Sequence, residues 1–327
     1  MACFVCGEPM FIIKIQMKMN MVPTPMKNNL LILVACFLIL SCSKSEKKQF
    51  DDTPIKGEIS LGVDDSFSNL MNAEKTAFEN NAHYAKIKLN IQPENQAVAD
   101  LLNDKVRGII ITRDLTEKEK ETFVRENISY RSFRFAADGI ACITHKSNTD
   151  TAWAVEDLKN QLLGTGSKQI ELVVDKNNSS NVKFLVDYFK IPGNATLRVR
   201  EVGDNPKVIS YVKSHSNAVG LIGSNWISDG DNPTSLGFIR SVNVISFAKE
   251  KGLSKNEYYQ PFGYNIALKK YPFRREAKIV LKEAHLGLGT GFVNYVCGDM
   301  GQLIVLKAGL IPLTRPVTIR TFEINKK

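Results

Sequence analysis

The chain has 327 residues, of which 43% are hydrophobic and 24% charged, and it carries a formal net charge of +9. This apolar fraction excludes a wholly disordered chain, and the sequence has no repeat of about 20–50 residues that would indicate a solenoid. The Lys and Arg residues form no cluster with interleaved aromatic residues, so a nucleic-acid-binding protein is not indicated. A diffuse positive charge is compatible with an anionic ligand or a membrane surface.

Residues 1–41 are predicted to be a leader and not part of the fold. Lys27 precedes an apolar run, Leu30–Leu40, which is shorter than the roughly 20 residues that a membrane-spanning helix needs. A run of this size after a basic residue is typical of a signal-peptide core. Residues 1–25 precede a second candidate start at Met26, and we interpret them as a start-site artefact.

The leader ends in Ile39-Leu40-Ser41-Cys42, which resembles a bacterial lipobox. In a lipobox the cysteine becomes the lipidated first residue of the mature protein, so the resemblance implies that a lipid on Cys42 anchors the chain to a membrane. Residues 42–52 would then be a polar tether. An ordinary cleaved signal and a short anchor helix are the alternatives.

Strands and helices alternate along the rest of the chain. The first series has predicted strands at 57–63, 86–92, 107–113 and within 128–146, and predicted helices at 66–80, 97–105 and 116–127. The second series has strands at 170–175, 198–202 and 218–225, and helices at 155–164, 179–189 and 205–215. The C-terminal part is predicted to hold segment 242–250, a long strand at 263–273, one helix at 289–310 and an extended segment at 311–324. Hydrophobic strands of this kind need helices on both faces, so the sequence predicts an α/β fold with two doubly wound sheets.

Polar residues directly after the strands are the candidate site, because ligands of open α/β sheets bind beyond the carboxyl ends of strands. The residues at such positions are Asp64, Asp65, Ser66, Thr112, Arg113, Asp114, Asp175, Ser179, Ser180, Asn225 and Trp226. The serines could instead be ordinary helix N-caps, and Trp226 a packing residue. Arg113 could be a surface residue at a strand end, and the aspartates could be loop carboxylates or bind a cationic or hydroxyl-rich ligand.

Other kinds of chemistry find little support. Cys142 and Cys297 are the only cysteines after the leader and the tether; they form no metal-binding pattern and are expected to be buried free thiols, with a disulfide as the alternative. The four histidines lack ligand spacing, and no G-x-S-x-G, H-E-x-x-H or Walker pattern occurs. We therefore expect no metal, no cofactor and no catalytic residue.

Four segments carry a resemblance to a known family. They are LLNDKVRGIIITRDLTEKEKE (101–121), FAADGIACITHKSN (135–148), YPFRREAKIVL (271–281) and GFVNYVCGDMGQLIVLKAGLIPL (291–313). These segments look like motifs of the PstS-like phosphate-binding proteins, a branch of the periplasmic solute-binding proteins of ABC transporters. The similarity covers about residues 57–325.

The resemblance implies a two-lobed type II periplasmic-binding-protein fold, in which each lobe is a doubly wound sheet and a two-stranded hinge joins the lobes. Lobe 1 would comprise residues 53–147 and 250–327, and lobe 2 residues 148–249, with hinge crossings near 146–150 and 249–264. It also implies a monomer that binds a small oxyanion, phosphate first, between the lobes and docks on an ABC permease.

In that family, backbone N–H groups at helix N-termini, Ser/Thr hydroxyls and an arginine hold the oxyanion. The resemblance matches Ser66 to the hydroxyl residue that opens the first helix. Thr112 and Arg113 match the Ser-Arg pair after the third strand. Ser179 and Ser180 fall at the family's Ser-Gly-Thr helix opening.

The sequence departs from the family pattern in three places. Asp64 and Asp65 stand where the family has small residues, and two carboxylates would repel an anion unless they are protonated or turned outward. Residues 92–96 replace a glycine-rich loop. Asp175 lies near the usual arginine position, in a segment that lacks the family's Gly and Thr.

The sequence therefore predicts an extracytoplasmic solute-binding lipoprotein of an ABC-type importer, anchored in the cell envelope and facing the periplasm or the exterior. The alternative is a transport-inactive sensor or interaction lipoprotein on the same fold with a different ligand, which the three departures favour. An enzyme is the least favoured hypothesis, because no nucleophile–base pair is visible.

Overall fold

The computed structural model describes residues 51–254 and 257–316. All the described residues belong to one compact unit. The predicted leader and the predicted lipidation site, Cys42, lie outside the described residues. Within the described ranges, no helix is long and apolar enough to cross a membrane.

The described part of the chain alternates between strands and helices. The strands are β1 (Lys56–Val63), β2 (Tyr84–Ile91), β3 (Gly108–Ile111), β4 (Arg131–His145), β5 (Ala152–Ala154), β6 (Glu171–Val174), β7 (Arg200–Glu201), β8 (Ala218–Gly223), β9 (Val242–Val244), β10 (Ser246–Ala248), β11 (Arg274–Leu281) and β12 (Ile311–Pro312). The helices are α1 (Ser68–Asn81), α2 (Glu94–Leu102), α3 (Glu117–Arg125), α4 (Val155–Leu162), α5 (Ser180–Tyr188), α6 (Asn205–Ser214), α7 (Asn225–Ser228), α8 (Pro233–Ser241), α9 (Gly263–Ala267), α10 (Leu288–Val296) and α11 (Asp299–Lys307).

Most strands join one large mixed sheet in the order β2-β1-β3-β11-β4-β8-β6-β7, and β9 and β12 also pair with β4. β1, β2 and β3 run parallel, as do β6, β7 and β8. β4 is antiparallel to β11 on one side and to β8 on the other. Each side of β4 thus carries its own parallel set with intervening helices, which confirms the predicted α/β class with two doubly wound halves.

β4 is the strand that the two halves share. Its residues 131–139 pair with β11, and residues 140–144 pair with β8. The chain passes from the first half (β1–β3, β11 and their helices) to the second half (β6–β8 and their helices) inside β4, at Gly139–Ile140. It returns between β10 and β11. The lobe boundaries at 147–148 and 249–250 stay a prediction.

Local sequence explains where several helices begin. Thr116 and Glu119 form a capping box at α3: the Thr116 hydroxyl accepts from the Glu119 amide at 3.3 Å, and the Glu119 carboxylate accepts from the Thr116 amide at 2.7 Å. Asp204 caps α6 by accepting from the Lys207 amide at 2.8 Å. Such caps satisfy amides that a helix N-terminus leaves without partners, and they fix where α3 and α6 begin.

The long strand predicted at 263–273 is wrong. Residues Gly263–Ala267 form the short helix α9, and the strand is β11, which begins at Arg274. Ile266, Tyr271 and Phe273 are buried in the hydrophobic cluster of the second half. Their packing therefore outweighs the alternating pattern that suggested a strand.

The single helix predicted at 289–310 is also wrong, because it is interrupted at Gly298, between α10 and α11. A Cβ atom at Gly298 would lie 2.8 Å from the Asn294 carbonyl oxygen. Glycine therefore permits a close approach of the backbone at the junction of the two helices, where a side chain would force the chain apart.

A carboxyl group is buried in the core of the first half. Glu74 on α1 is fully buried, and neither of its oxygens has a hydrogen-bond partner among the described residues. Burial raises the pKa of Glu74 to about 9. The two body cysteines, Cys142 and Cys297, are free thiols as predicted, the first buried and the second half-buried.

The end of the predicted tether is held against the first half. The Asp52 carboxylate accepts a hydrogen bond from the Leu288 amide at 2.8 Å, lies 2.9 Å from the His285 Nε2 atom and pairs with Arg107. Burial raises the pKa of Asp52, but these contacts outweigh it and the net pKa is lowered. Because Gly287 offers no capping side chain at α10, Asp52 supplies the cap from a distant part of the chain.

Candidate functional site

Asp64 and Ser66 lie between the end of β1 and the first helix. The Asp64 carboxylate caps a short 3-10 turn, Asp65–Phe67, by accepting a hydrogen bond from the Ser66 amide at 3.0 Å. Both residues are buried, with 2% and 1% of their surface exposed. An amide of the kind that binds oxyanions at helix N-termini is thus bound here by the chain's own carboxylate.

Ser179 and Ser180 open α5 in the second half. The Ser179 hydroxyl accepts from the Val182 amide at 3.4 Å, so Ser179 is the helix N-cap. The Ser180 hydroxyl reaches across to the first half: it donates to Asp64 Oδ1 at 2.7 Å, and its oxygen lies 3.1 Å from the Ser66 hydroxyl oxygen. Of the two predicted serines, only Ser180 joins the halves.

Three amide side chains add further contacts between the halves. Asn205 donates to Asp65 Oδ2 at 2.7 Å, and Asn225 donates to the Ser66 carbonyl oxygen. Asn181 accepts from the Ser66 hydroxyl at 3.3 Å. Of these amides the sequence predicted only Asn225. Asn181 and Asn205 lie in the first turns of α5 and α6, next to predicted strand ends, and that position is the signal that could have found them.

A buried ion pair lies beside these hydroxyls. Arg275 on β11 binds Asp138 on β4 through two contacts, Nε to Oδ1 at 2.9 Å and Nη2 to Oδ2 at 3.0 Å. Its Nη1 atom donates to the Ser180 hydroxyl at 3.3 Å. Burial lowers the pKa of Arg275, but Asp138 outweighs it, with smaller contributions from Asp64 and Glu94, and the net pKa is raised.

The sequence prediction did not include Arg275. In β11, however, the alternate residues Arg275, Ala277 and Ile279 are all buried, so the period of the strand places the arginine on the core face. A charged residue on the apolar face of a buried strand is the signal that could have identified it.

Thr112 and Arg113 follow β3 as predicted, but both are already engaged by glutamates. The Thr112 hydroxyl donates to Glu94 Oε1 at 2.6 Å, and the Thr112 amide donates to the same oxygen. Arg113 forms a forked pair with Glu119, with both contacts at 2.8 Å, and its Nε lies 3.6 Å from Glu94 Oε2. Residues 92–96, which replace a glycine-rich loop, thus contribute a carboxylate to this side of the site.

The remaining candidates lie around the edge of the cluster or away from it. Asp175 is 4% exposed, and its Oδ2 atom lies 3.4 Å from Asn181 Nδ2. Asp114 is largely exposed and pairs with Lys278. Trp226 packs against Phe238, with ring centroids 6.5 Å apart. The structure therefore brings Asp64, Asp65, Ser66, Ser180 and Asn225 together and leaves Asp114 and Trp226 outside.

Two small cavities flank the contacts between the halves. The first, of about 120 Å³, is lined by residues from both halves, including Thr112, Arg113 and Ser180. The second, of about 310 Å³, is lined by Asp64, Asp65, Asp175 and Ser179 together with Lys176 and Lys207. A larger cavity of about 810 Å³ lies at the β6–β7 edge and contains none of the predicted site residues.

Carboxylates dominate the electrostatics of the cluster. Burial and the neighbouring Glu94 raise the pKa of Asp64 to about 7, while Arg275 and the hydrogen bonds from Ser180 and Ser66 oppose the rise. Burial also raises the pKa of Asp138 and of Asp175. Near neutral pH the Asp64 carboxyl group can therefore gain or lose a proton, and the charge beside Ser66 and Ser180 changes with it.

Comparison with known proteins finds a family model and solved structures. A model described as the PBP superfamily domain matches residues 49–299. No protein with a curated description matches the chain.

The matching structures share the fold at low sequence identity. One is described as a phosphate ABC transporter substrate-binding protein from Clostridium perfringens with bound phosphate; it is 21% identical, with a TM-score of 0.66 over 79% of this chain and 100% of that chain. An ABC-type phosphate transport receptor from Vibrio cholerae is 17% identical, with a TM-score of 0.60 over 79% and 100% of the two chains. The regulatory domain of CcmR from Synechocystis, in complex with 2-PG, is 11% identical, with a TM-score of 0.52 over 75% and 97%. The expected type II periplasmic-binding-protein fold is confirmed.

Proposed function

Since the chain belongs to the PBP superfamily, we propose that it is an extracytoplasmic solute-binding lipoprotein of an ABC-type importer. Its solute would be a small oxyanion, with phosphate as the first candidate, held in the cleft between two lobes. The lipobox-like sequence at Cys42 supports a lipid anchor in the cell envelope, and the permease of the importer would be the partner of a monomer.

The meeting of Ser66 and Ser180 carries this proposal. Their hydroxyl oxygens come from different halves and lie 3.1 Å apart, and Arg275 donates to one of them at 3.3 Å. Hydroxyls from both sides of a cleft and a buried guanidinium provide the hydrogen bonds and the positive charge that a desolvated oxyanion needs. Phosphate is the first candidate because the Clostridium perfringens structure contains it.

The proposal involves no covalent chemistry. A solute that contacts both halves binds the closed form better than the open form, and this difference in affinity shifts the equilibrium toward closure. The ligand would thus change the outer surface that a permease recognises.

Calorimetric titration of the full-length protein with phosphate, and with sulfate as a second anion, tests the proposal at pH 6 and pH 8. We expect saturable phosphate binding that Ser180→Ala weakens by about tenfold or more, since a hydrogen bond to a charged group contributes about 1.5–3 kcal/mol. Ser214→Ala is the matched control, because Ser214 is exposed at the far end of α6. Absence of binding by the wild-type protein at both pH values would contradict the oxyanion assignment.

A transport-inactive sensor or interaction lipoprotein is the second candidate. The observation that favours it is the Asp64 carboxylate, which already accepts hydrogen bonds from the Ser66 amide and the Ser180 hydroxyl. Phosphate uptake by cells that lack the gene separates the two candidates. Reduced uptake supports the importer, and unchanged uptake supports the sensor.

A further inference from the structure

The cleft between the halves is closed by contacts that the chain makes with itself. Asp64 accepts from Ser180, and Asp65 accepts from Asn205, both at 2.7 Å. In each case a carboxylate of the first half binds a neutral donor at the start of a helix of the second half. Negatively charged oxygens of the protein thus make the bridging contacts that an anionic solute would make.

Asp64 in particular occupies the donors that define an oxyanion site. Its Oδ1 atom accepts from the Ser66 amide at 3.0 Å and from the Ser180 hydroxyl. A serine hydroxyl has a single hydrogen, and Ser180 gives that hydrogen to Asp64. The same hydroxyl therefore cannot donate to a bound oxyanion at the same time.

We propose that Asp64 is an internal substitute for the oxyanion: its carboxylate holds the two halves together without solute, and an oxyanion binds only when Asp64 releases Ser66 and Ser180. Asp64 then competes with the oxyanion for the Ser66 and Ser180 donors, and the strength of its contacts with them limits the affinity for the oxyanion. The identity of the competing ligand rests on the proposed function, whereas closure by Asp64 does not.

The charges around Asp64 make this competition depend on pH. The charged groups that face it or line the adjoining cavity are Asp65, Glu94, Asp138, Asp175, Lys176, Lys207 and Arg275. Burial and, among these groups, Glu94 raise the pKa of Asp64 to about 7, and Arg275 opposes the rise. An incoming anion favours the protonated, neutral form, so above this pKa the binding of an anion requires the uptake of a proton.

Small-angle X-ray scattering of the full-length protein tests closure without any ligand. We expect ligand-free Asp64→Ala to have a larger radius of gyration than the wild-type protein, because the acceptor for Ser180 is lost. Asp114→Asn is the control, since Asp114 also follows a strand but is exposed and lies outside the cluster. Equal radii for wild type and Asp64→Ala would overturn the proposal.

Calorimetric titration with phosphate tests the competition. The quantity to compare is the phosphate affinity of Asp64→Asn divided by that of the wild type. The protonation of phosphate itself affects both affinities equally, so it does not change this ratio. We expect this ratio to rise by about fivefold between pH 7 and pH 8, while the corresponding ratio for Asp114→Asn stays constant. A ratio for Asp64→Asn that does not change with pH would overturn the proposal. If neither the wild type nor any variant binds phosphate, the proposed oxyanion function fails, and the scattering result alone decides the role of Asp64.

Discussion

Replacing Glu74 by glutamine should stabilise the protein, and by an amount that depends on pH. Glu74 is 0% exposed in the core of the first half, and both carboxylate oxygens lack hydrogen-bond partners among the described residues. Glutamine keeps the shape of the side chain and removes the ionisable group. The difference in unfolding free energy between the two proteins therefore reports the cost of keeping residue 74 protonated in the folded state.

The sign and size of the effect depend on the pKa of Glu74. Burial raises this pKa from 4.5 to about 9 in the folded state, so the folded protein holds a proton at pH 7 while the unfolded chain has lost it. Stability from this group is complete below pH 4.5 and falls as the pH rises toward 9. Each pH unit in this range contributes about 1.4 kcal/mol. At pH 7 the loss is thus about 3 kcal/mol, and Glu74→Gln should recover most of it.

Urea unfolding of both proteins at pH 4.5, 6 and 7 measures this difference. We expect nearly equal stabilities at pH 4.5 and a growing advantage of Glu74→Gln at higher pH. Glu121→Gln is the control, because Glu121 is exposed on α3 and its replacement should give no such trend. An advantage of Glu74→Gln that is the same at all three pH values would refute the reasoning, since only ionisation of Glu74 makes it depend on pH.

Three further predictions concern other buried or engaged groups. Arg275→Ala should lower the unfolding free energy by about 3–5 kcal/mol, because it leaves the Asp138 carboxylate buried without its partner; urea unfolding measures this, and a loss below about 1 kcal/mol would contradict it. Arg113→Ala should weaken phosphate binding by less than tenfold in calorimetry, because its guanidinium already forms a forked ion pair; complete loss of binding would show that Arg113 turns to the ligand. Burial raises the pKa of Cys142, and raises that of Cys297 to about 11. After iodoacetamide treatment at pH 8, peptide mapping should therefore find Cys297 labelled slowly and Cys142 not labelled. Rapid labelling of Cys142 would contradict its burial.

The alternation of strands and helices was predictable because most elements of the two series carry their own signals. β3 is an unbroken buried run, and α3 starts with a capping box at Thr116. The C-terminal part was harder, since the break at Gly298 depends on a close backbone approach and the helix α9 depends on packing into the second core. Neither cause is visible in a local pattern.

The sequence predicted several residues of the candidate site but not the contacts between them. Strand ends indicated Ser66 and Ser180, but nothing in the sequence shows that they meet across the cleft. The partners Asn181 and Asn205 resemble ordinary helix-start residues until the fold brings them together. Arg275 lies in a strand with several charged residues, so only its position on the same face as the buried Ala277 and Ile279 distinguishes it.

The place of the Arg275–Asp138 ion pair affects any motion of the two halves. Asp138 directly precedes the Gly139–Ile140 step at which β4 changes partner, and Arg275 is its register neighbour on β11. If the halves rotate about the Gly139–Ile140 step, the ion pair lies next to the rotation axis, and atoms close to a rotation axis move least. The guanidinium would keep its orientation while Asp64 and Ser180 separate. An entering anion would then meet the Arg275 guanidinium in a fixed orientation, so binding would cost little side-chain rotamer entropy.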